Sequence, residues 1–443
     1  MNIFKEVSEF CEANHYVDVA DKVPIFLCSI GTHIFNGLNK CGLCPHIPDD
    51  KGNWAIDHCI LRHDKPPLYT PMSHVADTRL HIIMKGIKGS GKSILLHLFL
   101  AKNTGLLYHP NAHDLGLGFR TDMGPNSITE AGMFGSVNED KEIVGMPLAR
   151  EMCGGFLGFE EMSTLLDAAK KDHSTDITNQ LLTSTDNGRV KKVMKSGWVE
   201  YLTRFTVWGG TQPARFDMES GLDRRFFIID IAMGEEKQRA YKEAQIKQSS
   251  MSAADRLPLV DKTREIQEWF VRRATEVISN PPTGVVFSEE LNDWIRKDTV
   301  HSHEADLFRR LALGYTVLQE KYMGGQALIV NMTPFLRELL DASLIMRRKV
   351  MDGDVELIKH NLWGEEMSRR DLNKYVASAI TNRDYQAAKR WIDENLSTKD
   401  WFTENRDTSK KGSGRRGVKV FIGISLVNPE NPQKIIWGEA SAK

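Results

Sequence analysis

Cysteine is scarce in this 443-residue sequence, which contains only six. So few cysteines in so long a chain do not make a disulfide scaffold, and we expect reduced thiols. Long apolar runs are also missing: no stretch approaches the length that a membrane span requires. The first residues lack the basic start and apolar core of a signal peptide. The sequence therefore predicts a cytoplasmic protein that does not enter a membrane.

An excess of charge of one sign is absent as well, because 58 lysines and arginines stand against 59 aspartates and glutamates. A chain whose net charge is −1 does not attract a polyanion as a whole, so any contact with nucleic acid must come from local basic patches. The length predicts two or three domains, each large enough to bury its own core.

What the sequence does contain is a glycine-rich loop between an apolar run and an apolar helical pattern. The run Leu80 to Met84 leads into Gly86-Ile-Lys-Gly-Ser-Gly-Lys-Ser93. Strand, glycine-rich loop and helix in this order are typical of a phosphate-binding P-loop. The residues predicted to bind a nucleotide are Gly86, Gly89, Ser90, Gly91, Lys92, Ser93 and Ile94. The alternative is a chance match on a buried turn between a strand and a helix.

The chemistry of this loop suits a nucleoside triphosphate with Mg²⁺. Glycines let backbone N–H groups turn toward phosphate oxygens, and the start of a helix adds the positive end of its dipole. We expect Lys92 to reach the β- and γ-phosphates and the Ser93 hydroxyl to bind Mg²⁺.

An apolar stretch that ends in two carboxylates follows at Gly154 to Glu161. A buried parallel strand ending in acids beside a P-loop is the expected second half of a nucleotide-hydrolysing site. We predict that Glu160 holds Mg²⁺ and that Glu161 polarises the attacking water. Aspartate is the usual residue at the first position, so Glu160 is a departure. The alternative is a solvated acidic pair that opens a helix, where negative charge is favourable.

Asn187-Gly188 is a strong tight-turn signal, and basic residues surround it. The segment predicts a β-hairpin with a basic tip, whose Lys191, Lys192 and Lys195 would contact the backbone of a nucleic acid. The alternative is a solvated charged hairpin, since most lysines simply lie at the surface.

Two further polar positions stand next to short apolar strands. Gln212 follows the strand Thr206 to Gly210, where it could position the water or sense the γ-phosphate. Arg225 precedes the strand Phe227 to Ile231 and could reach a neighbouring subunit as an arginine finger. The alternative for this arginine is an ion pair with a nearby acid: Asp217, Glu219 or Asp223.

The segment before the P-loop carries cysteine and histidine at spacings close to those of a zinc finger. Cys41, Cys44, His58 and His63 could close a tetrahedron around a structural zinc ion, with Cys59 able to replace His58. The alternative is a set of ordinary cysteines and histidines.

The order of these features divides the chain into four predicted domains. Residues 1–75 would form a small N-terminal domain with the possible zinc site, and residues 76–235 an α/β ATPase core. Residues 236–349 show amphipathic helical patterns that suit a helical lid. Residues 350–443 show the helix, helix, hairpin order of a winged helix, which binds DNA or docks on protein.

Taken in order, the motifs of residues 79–330 resemble the AAA+ ATPases of the minichromosome maintenance (MCM) type and, more distantly, the superfamily 3 viral helicases. The resemblance implies an AAA+ P-loop fold in the α/β class. By this resemblance, Lys195 matches the lysine of the presensor hairpin and Arg225 matches the arginine finger. Gln212 stands at the position where the family usually has the sensor-1 asparagine. Arg309 and Arg310 are candidates for the sensor-2 arginine. The short N-terminal segment suggests a compact relative encoded by a virus or mobile element and located in the host cytoplasm.

What the resemblance implies is an ATP-driven DNA helicase that works as a hexameric ring, with ATP and Mg²⁺ between subunits. Its catalytic residues would be Lys92, Glu160, Glu161, Gln212 and Arg225. An initiator or helicase loader that binds DNA under ATP control without unwinding is the alternative. A P-loop enzyme acting on small molecules is a third possibility.

Overall fold

The computed structural model describes most of the chain. The described residues are 1–17, 22–39, 79–86, 89–108, 121–125, 128–136, 147–162, 176–187, 189–194, 197–203, 205–212, 222–231, 235–299, 302–319, 321–322, 324–362, 364–379, 385–406, 418–422, 425–427 and 435–437. They fall into two compact units, Met1–Met346 and Arg347–Lys443. The predicted zinc ligands Cys41, Cys44, His58 and His63 lie outside the described residues.

The first unit contains a parallel sheet and most of the helices. Its elements in chain order are α1 (Ile3–Ala13), α2 (Val23–Asn39), β1 (His81–Lys85), α3 (Lys92–Leu100), β2 (Thr121–Met123), α4 (Glu130–Phe134), α5 (Leu148–Glu151), β3 (Phe156–Phe159), α6 (Asp176–Asn187), β4 (Arg189–Met194), β5 (Gly197–Leu202), β6 (Thr206–Thr211), α7 (Leu222–Arg225), β7 (Phe226–Asp230), α8 (Glu235–Ser250), α9 (Ala253–Ser279), β8 (Gly284–Phe287), α10 (Glu289–Asp298), α11 (Ser302–Val317) and β9 (Ala327–Val330).

The boundary between the units falls inside one long helix, α12 (Pro334–Leu362). The second unit then comprises β10 (Glu366–Ser368), α13 (Arg369–Ala379), α14 (Tyr385–Asn395), β11 (Phe402–Arg406), β12 (Val418–Ile422), β13 (Ser425–Val427) and β14 (Ile435–Trp437).

The central sheet has the strand order β2-β3-β6-β1-β7, and each pairing is parallel. Strands β1, β3 and β6 are buried along their whole length. Parallel strands are covered on both faces and are therefore apolar in consecutive positions, which is the pattern the sequence shows. The predicted α/β class is confirmed, with a sheet arrangement compatible with a P-loop core.

Helix α2 lies directly against the sheet and against α11. His33 bonds Thr206 Oγ1 at 2.8 Å and the Gly154 carbonyl at 2.9 Å, and the Trp208 indole donates to Ser29 at 2.9 Å. These bonds fix α2 to the starts of β3 and β6.

The crossing of α2 and α11 is so close that it requires glycine on both helices. A Cβ added at Gly31 would overlap the Gly314 carbonyl, and one added at Gly314 would overlap the Cys28 carbonyl. The described N-terminal helices therefore share one hydrophobic core with the sheet, α9 and α11. The sequence predicted a separate N-terminal domain and a helical lid, whereas the structure places α1, α2, α9 and α11 within the first unit.

The second unit has its own core around α13, α14 and a small antiparallel sheet of order β10-β12-β11. Leu372 and Val376 from α13 pack with Ile392 from α14 and Val420 from β12. The predicted sequence of two helices and a hairpin is present over Arg369–Ile422. The winged-helix assignment itself, like the AAA+ lid, stays a prediction.

Within the described residues, no helix is both long and apolar enough to cross a membrane.

Candidate nucleotide-binding site

The glycine-rich loop leaves the carboxyl end of β1 and enters α3 at Lys92. Gly89 and Gly91 have φ values of +82° and +91°, in the left-handed region that favours glycine. Gly86 donates to the Thr211 carbonyl at 3.0 Å, which ties the start of the loop to the end of β6. The residue before α3 is Gly91, which has no side chain with which to cap the helix. The predicted strand–loop–helix arrangement is present.

Lys92 folds back over this loop. Its side chain is buried, and Nζ donates to the Gly86 carbonyl at 2.6 Å and to Ser90 Oγ at 3.5 Å. Burial lowers the pKa of Lys92, while the negative charge of Glu161 acts in the opposite direction. An ammonium group bonded to neutral acceptors inside the loop is placed to exchange these bonds for phosphate oxygens.

The two carboxylates after β3 have different partners. Glu161 Oε2 accepts a hydrogen bond from Gln212 Nε2 at 2.9 Å, and its charge acts on Lys92. Glu160 Oε1 instead lies 2.6 Å from His97 Nε2 on α3, with both side chains about half exposed. The structure therefore brings Glu161, Gln212 and Lys92 together, and it sets Glu160 to one side of them.

The ends of β3 and β6 and the start of α3 approach one another closely beneath the glycine-rich loop. A Cβ added at Gly210 would lie 2.5 Å from the Glu160 carbonyl oxygen and 3.4 Å from Lys92 Cβ. The Met162 N–H donates to the Gly210 carbonyl at 2.6 Å. The ends of β3 and β6 and the start of α3 thus meet at the carboxyl edge of the sheet, where the strands end. Ligands of open α/β sheets bind at this edge.

The residues present suit a Mg²⁺ ion held between the chain and a bound phosphate. Hydroxyl and carboxylate oxygens are the ligands that Mg²⁺ takes from proteins. Ser93 and His97 are four residues apart and so share one face of α3, and Glu160 contacts that face through His97. Among the described residues, no group of three or more histidines, cysteines, aspartates or glutamates could hold a metal by itself.

Tyr241, on α8, reaches the glycine-rich loop and had no signal in the sequence. A Cβ added at Gly91 would overlap the Tyr241 hydroxyl. Burial raises the pKa of this phenol, so it remains a hydrogen-bond donor at neutral pH. A single tyrosine in a helix rich in charged residues gives no hint of this contact, because the contact depends on how α8 packs. His97 was missed for the same reason.

Arg225 lies at the end of α7, just before β7 begins, and pairs with Asp186 on α6. Its Nε donates to Asp186 Oδ2 at 2.6 Å, and a terminal nitrogen contacts the same oxygen. Of the acids predicted as its alternative partners, Asp223 contacts His303 at 3.6 Å. The other two lie outside the described residues.

Arg225 and Arg310 both lie away from the P-loop of their own chain. Strand β7 begins at the amino edge of the sheet, where the strands start, so Arg225 stands at that edge. Arg310 is buried there too: it pairs with Asp306 at 2.6 Å and donates to the Arg79 carbonyl, just before β1, at 2.8 Å. A five-residue strand spans about 17 Å. The assignment of Arg309 or Arg310 as the sensor-2 arginine stays a prediction.

The predicted basic hairpin forms from β4 and β5, with the register Lys191↔Glu200. Lys192 Nζ lies 2.6 Å from Glu130 Oε1, and both side chains are 14% exposed. This ion pair neutralises the Lys192 charge inside the chain. Lys191 is exposed, and Lys195 lies outside the described residues.

No family model matches the chain, and no curated protein matches it in sequence. The function proposed below therefore depends on the arrangement of these residues.

Proposed function

We propose that the chain is an ATP-driven DNA translocase or helicase that acts as a ring oligomer. The observation that carries this proposal is the convergence of Lys92, Glu161 and Gln212 beside the glycine-rich loop. A cation inside a phosphate-binding loop, a carboxylate and an amide that orients it are the groups that triphosphate hydrolysis requires.

Binding would use the loop and Lys92. The backbone N–H groups from Gly89 to Ser93 and the N-terminus of α3 would hold the phosphates. Lys92 would exchange its bond to the Gly86 carbonyl for phosphate oxygens, at small cost because a hydrogen bond replaces a hydrogen bond. The Tyr241 hydroxyl is placed to donate to the same ligand.

Hydrolysis would use Glu161 as the general base. A carboxylate that an amide N–H holds in place can accept a proton from a water molecule beside the phosphates. Gln212 acts as a positioning residue in this scheme. Bound Mg²⁺, with Ser93 and Glu160 as ligands, would neutralise the charge that develops on the phosphates.

Arg225 supports the oligomeric part of the proposal. It stands at the amino edge of the sheet and cannot reach the P-loop at the opposite edge of its own chain. A guanidinium that acts on a triphosphate from this position must act on another copy, as an arginine finger does. It would first have to leave Asp186.

The decisive experiment is steady-state ATPase activity of the wild type and Glu161→Gln, with and without single-stranded DNA, together with the mass in ATP. We expect DNA-stimulated hydrolysis that falls at least about a hundredfold in the variant, on an assembly of ring size. Glu338→Gln, an exposed glutamate on α12, is the matched control and should behave as wild type. A monomer with negligible turnover that DNA does not change would reject the motor.

A second candidate is an ATP-gated initiator or loader that does not unwind DNA. One contact favours it: Arg225 is paired inside its own chain. This pairing would slow hydrolysis until a partner arrives. Directional unwinding of a forked DNA separates the candidates, because only the motor should produce single strands at a rate that follows ATP turnover.

A further inference from the structure

His97 differs from the other residues of helix α3, which is mostly apolar. Every residue of the helix after Ser93 is hydrophobic except His97, and His97 is also the one exposed residue of the nine in α3. Its Nε2 lies 2.6 Å from Oε1 of Glu160, the first residue after β3. Because the ring is about half exposed, packing in the core does not explain a histidine here, and its contact with Glu160 is the interaction that the imidazole adds.

The chemistry of this pair decides which group donates. An ionised carboxylate can only accept hydrogen bonds, so Nε2 of His97 carries the hydrogen and donates to Oε1 of Glu160. A pair this exposed adds little to the free energy of unfolding, because water screens the charges and both side chains lose freedom. The contact therefore matters for where the Glu160 carboxylate lies rather than for the stability of the fold.

The contact holds the carboxylate on the side of α3 that carries the Ser93 hydroxyl. The Cα–Cβ bonds of a helix tilt toward its N-terminus, so the His97 side chain is directed toward the turn that contains Ser93. The backbone of Glu160 is held as well. Its carbonyl oxygen lies so close to Gly210 that a Cβ added there would stand 2.5 Å away, and the Met162 N–H donates to the Gly210 carbonyl at 2.6 Å. The Glu160 side chain is thus restrained at both of its ends.

A glutamate at this position gains more from such a restraint than an aspartate would. Its side chain has one more rotatable bond, so holding its carboxylate in one place for a ligand costs more conformational entropy. A hydrogen bond that is already present in the free protein removes part of this cost before the ligand arrives. His97 thus offers a physical reason why glutamate can stand where aspartate is usual.

We propose that His97 is a positioning residue that holds the Glu160 carboxylate in place for the Mg²⁺ ion that binds with the nucleotide. The imidazole acts through Glu160 in this role and does not itself bind the metal. Partners that orient a metal ligand affect metal affinity strongly although they do not touch the ion. This inference rests on the proposed function, because Glu160 meets a metal only if the site takes a nucleotide with Mg²⁺.

The test measures binding of Mn²⁺, which takes the same oxygen ligands as Mg²⁺, to the full chain together with β,γ-imido-ATP. Electron paramagnetic resonance reports the free Mn²⁺, so the measurement needs no hydrolysis. His97→Leu should weaken Mn²⁺ binding about tenfold. His97→Gln keeps an N–H donor and should recover most of the affinity. Binding of the nucleotide in the presence of a chelator should be the same in both variants and the wild type.

A double-mutant cycle shows whether His97 acts through Glu160. Aspartate is shorter by one methylene, so Glu160→Asp withdraws the carboxylate from the imidazole. In that background His97→Leu should change Mn²⁺ affinity less than about twofold, since the two residues no longer interact. The matched control is His303→Leu, which removes a histidine that also contacts a carboxylate, Asp223 at 3.6 Å, and should leave Mn²⁺ affinity unchanged.

Four results would overturn the inference. His97→Leu could bind Mn²⁺ as the wild type does, or lose as much affinity with aspartate at position 160, which would make its effect independent of the glutamate. His97→Gln could fall as far as His97→Leu, which would exclude the N–H donor as the cause. The wild type could also bind no Mn²⁺ with the nucleotide. ATP hydrolysis and its response to DNA test the proposed function separately, because Mn²⁺ binding through a positioned Glu160 can hold in a chain that neither hydrolyses ATP nor acts on DNA.

Discussion

The two edges of the parallel sheet both collect charged side chains, and they satisfy them in different ways. At the amino edge, Arg79 donates to the carbonyls of Phe205 and Ser184, and Arg310 donates to the carbonyl of Arg79 itself. These groups are buried, and several of their acceptors belong to the backbone. A backbone acceptor cannot move away without a change of fold, so these charges support the structure.

At the carboxyl edge Lys92 also donates to a backbone carbonyl, that of Gly86, but this carbonyl belongs to the glycine-rich loop, and the two acids there are bonded to side chains. Glu161 is bonded to Gln212 and acts on Lys92, and Glu160 is bonded to His97. Side chains can rotate and change partners at small cost. The comparison teaches that a charged side chain indicates function when its partners can be exchanged for those of a ligand. Mutations at the two edges should therefore separate stability from activity.

The largest effect is expected at the amino edge, from Arg310→Met. Removing the guanidinium leaves the buried Asp306 carboxylate without its ion pair, and the free energy of unfolding should fall by about 3–5 kcal/mol. Denaturant unfolding followed by circular dichroism measures the change. Arg272→Met, an exposed arginine on α9, is the control. A loss below about 1 kcal/mol would mean that this edge does not carry the stability we assign to it.

At the carboxyl edge, Lys92→Met should weaken ATP binding and leave the free energy of unfolding almost unchanged. It removes one charge-assisted contact to phosphate, worth about 1.5–3 kcal/mol, so affinity for ATP should fall about tenfold to a hundredfold. The free energy of unfolding should change by less than about 1 kcal/mol, because the lost bonds and the relieved burial of the ammonium offset each other. Nucleotide titration and unfolding on the same sample measure both quantities. A loss of stability as large as that of Arg310→Met would show that Lys92 supports the fold as the charges of the amino edge do.

Gln212→Leu tests whether Gln212, at the carboxyl edge, positions Glu161 or binds the nucleotide. The variant removes the hydrogen bond that fixes Glu161 and keeps the P-loop intact, so kcat should fall roughly tenfold while KM for ATP stays the same. Initial rates over a range of ATP concentrations separate the two constants. A rise of KM at constant kcat would show that Gln212 binds the nucleotide rather than positioning the base.

Tyr241→Phe should have a smaller effect. Loss of one neutral hydrogen bond costs about 0.5–1.5 kcal/mol, so ATP affinity should fall about two- to tenfold. Burial raises the pKa of the phenol above its ordinary value, and the hydroxyl should remain protonated at pH 9. The ratio of wild-type to variant affinity should therefore be constant from pH 7 to pH 9. A ratio that shrinks over this range would contradict the donor role.

The smallest effect is expected from Asp186→Asn, at the amino edge. A partly exposed ion pair is worth about 0.2–1 kcal/mol, so releasing Arg225 should raise the ATPase rate by at most about fivefold. The increase should appear only at concentrations where the chain oligomerises, and the additional change Arg225→Ala should abolish it. A concentration-independent increase would place the effect within one chain.

Much of the site could be predicted from local sequence patterns. The glycine-rich loop stands between a strand and a helix as expected, and β3 ends at the acidic pair. The basic segment forms a hairpin as predicted, but Asn187 ends α6 and the two strands are joined between Met194 and Gly197 rather than at Asn187-Gly188. Strand β6 ends beside Gln212. Such features depend on residues close in sequence, where apolar periodicity and turn chemistry act directly.

The parts that sequence reasoning missed depend on contacts between distant residues. The pairing of Arg225 with Asp186 and the contact of Tyr241 with Gly91 follow from the packing of helices. The merging of the N-terminal helices with the sheet core has the same origin. Lys192 and Lys191 are neighbours in sequence with equal charge, yet strand alternation sends them to opposite faces. Only this alternation decides which of the two lysines is exposed and which is paired inside the chain.

The contact of Gly31 with Gly314 has a consequence for the synthesis of the protein. Helix α2 is an apolar segment that leaves the ribosome long before its partner α11, which follows it near the end of the first unit. At typical translation rates this interval is on the order of tens of seconds. During that time the newly made helix exposes surface that the finished core will cover. The contact between α2 and α11 can therefore form only after Gly314 has left the ribosome, so this part of the core is completed late in synthesis.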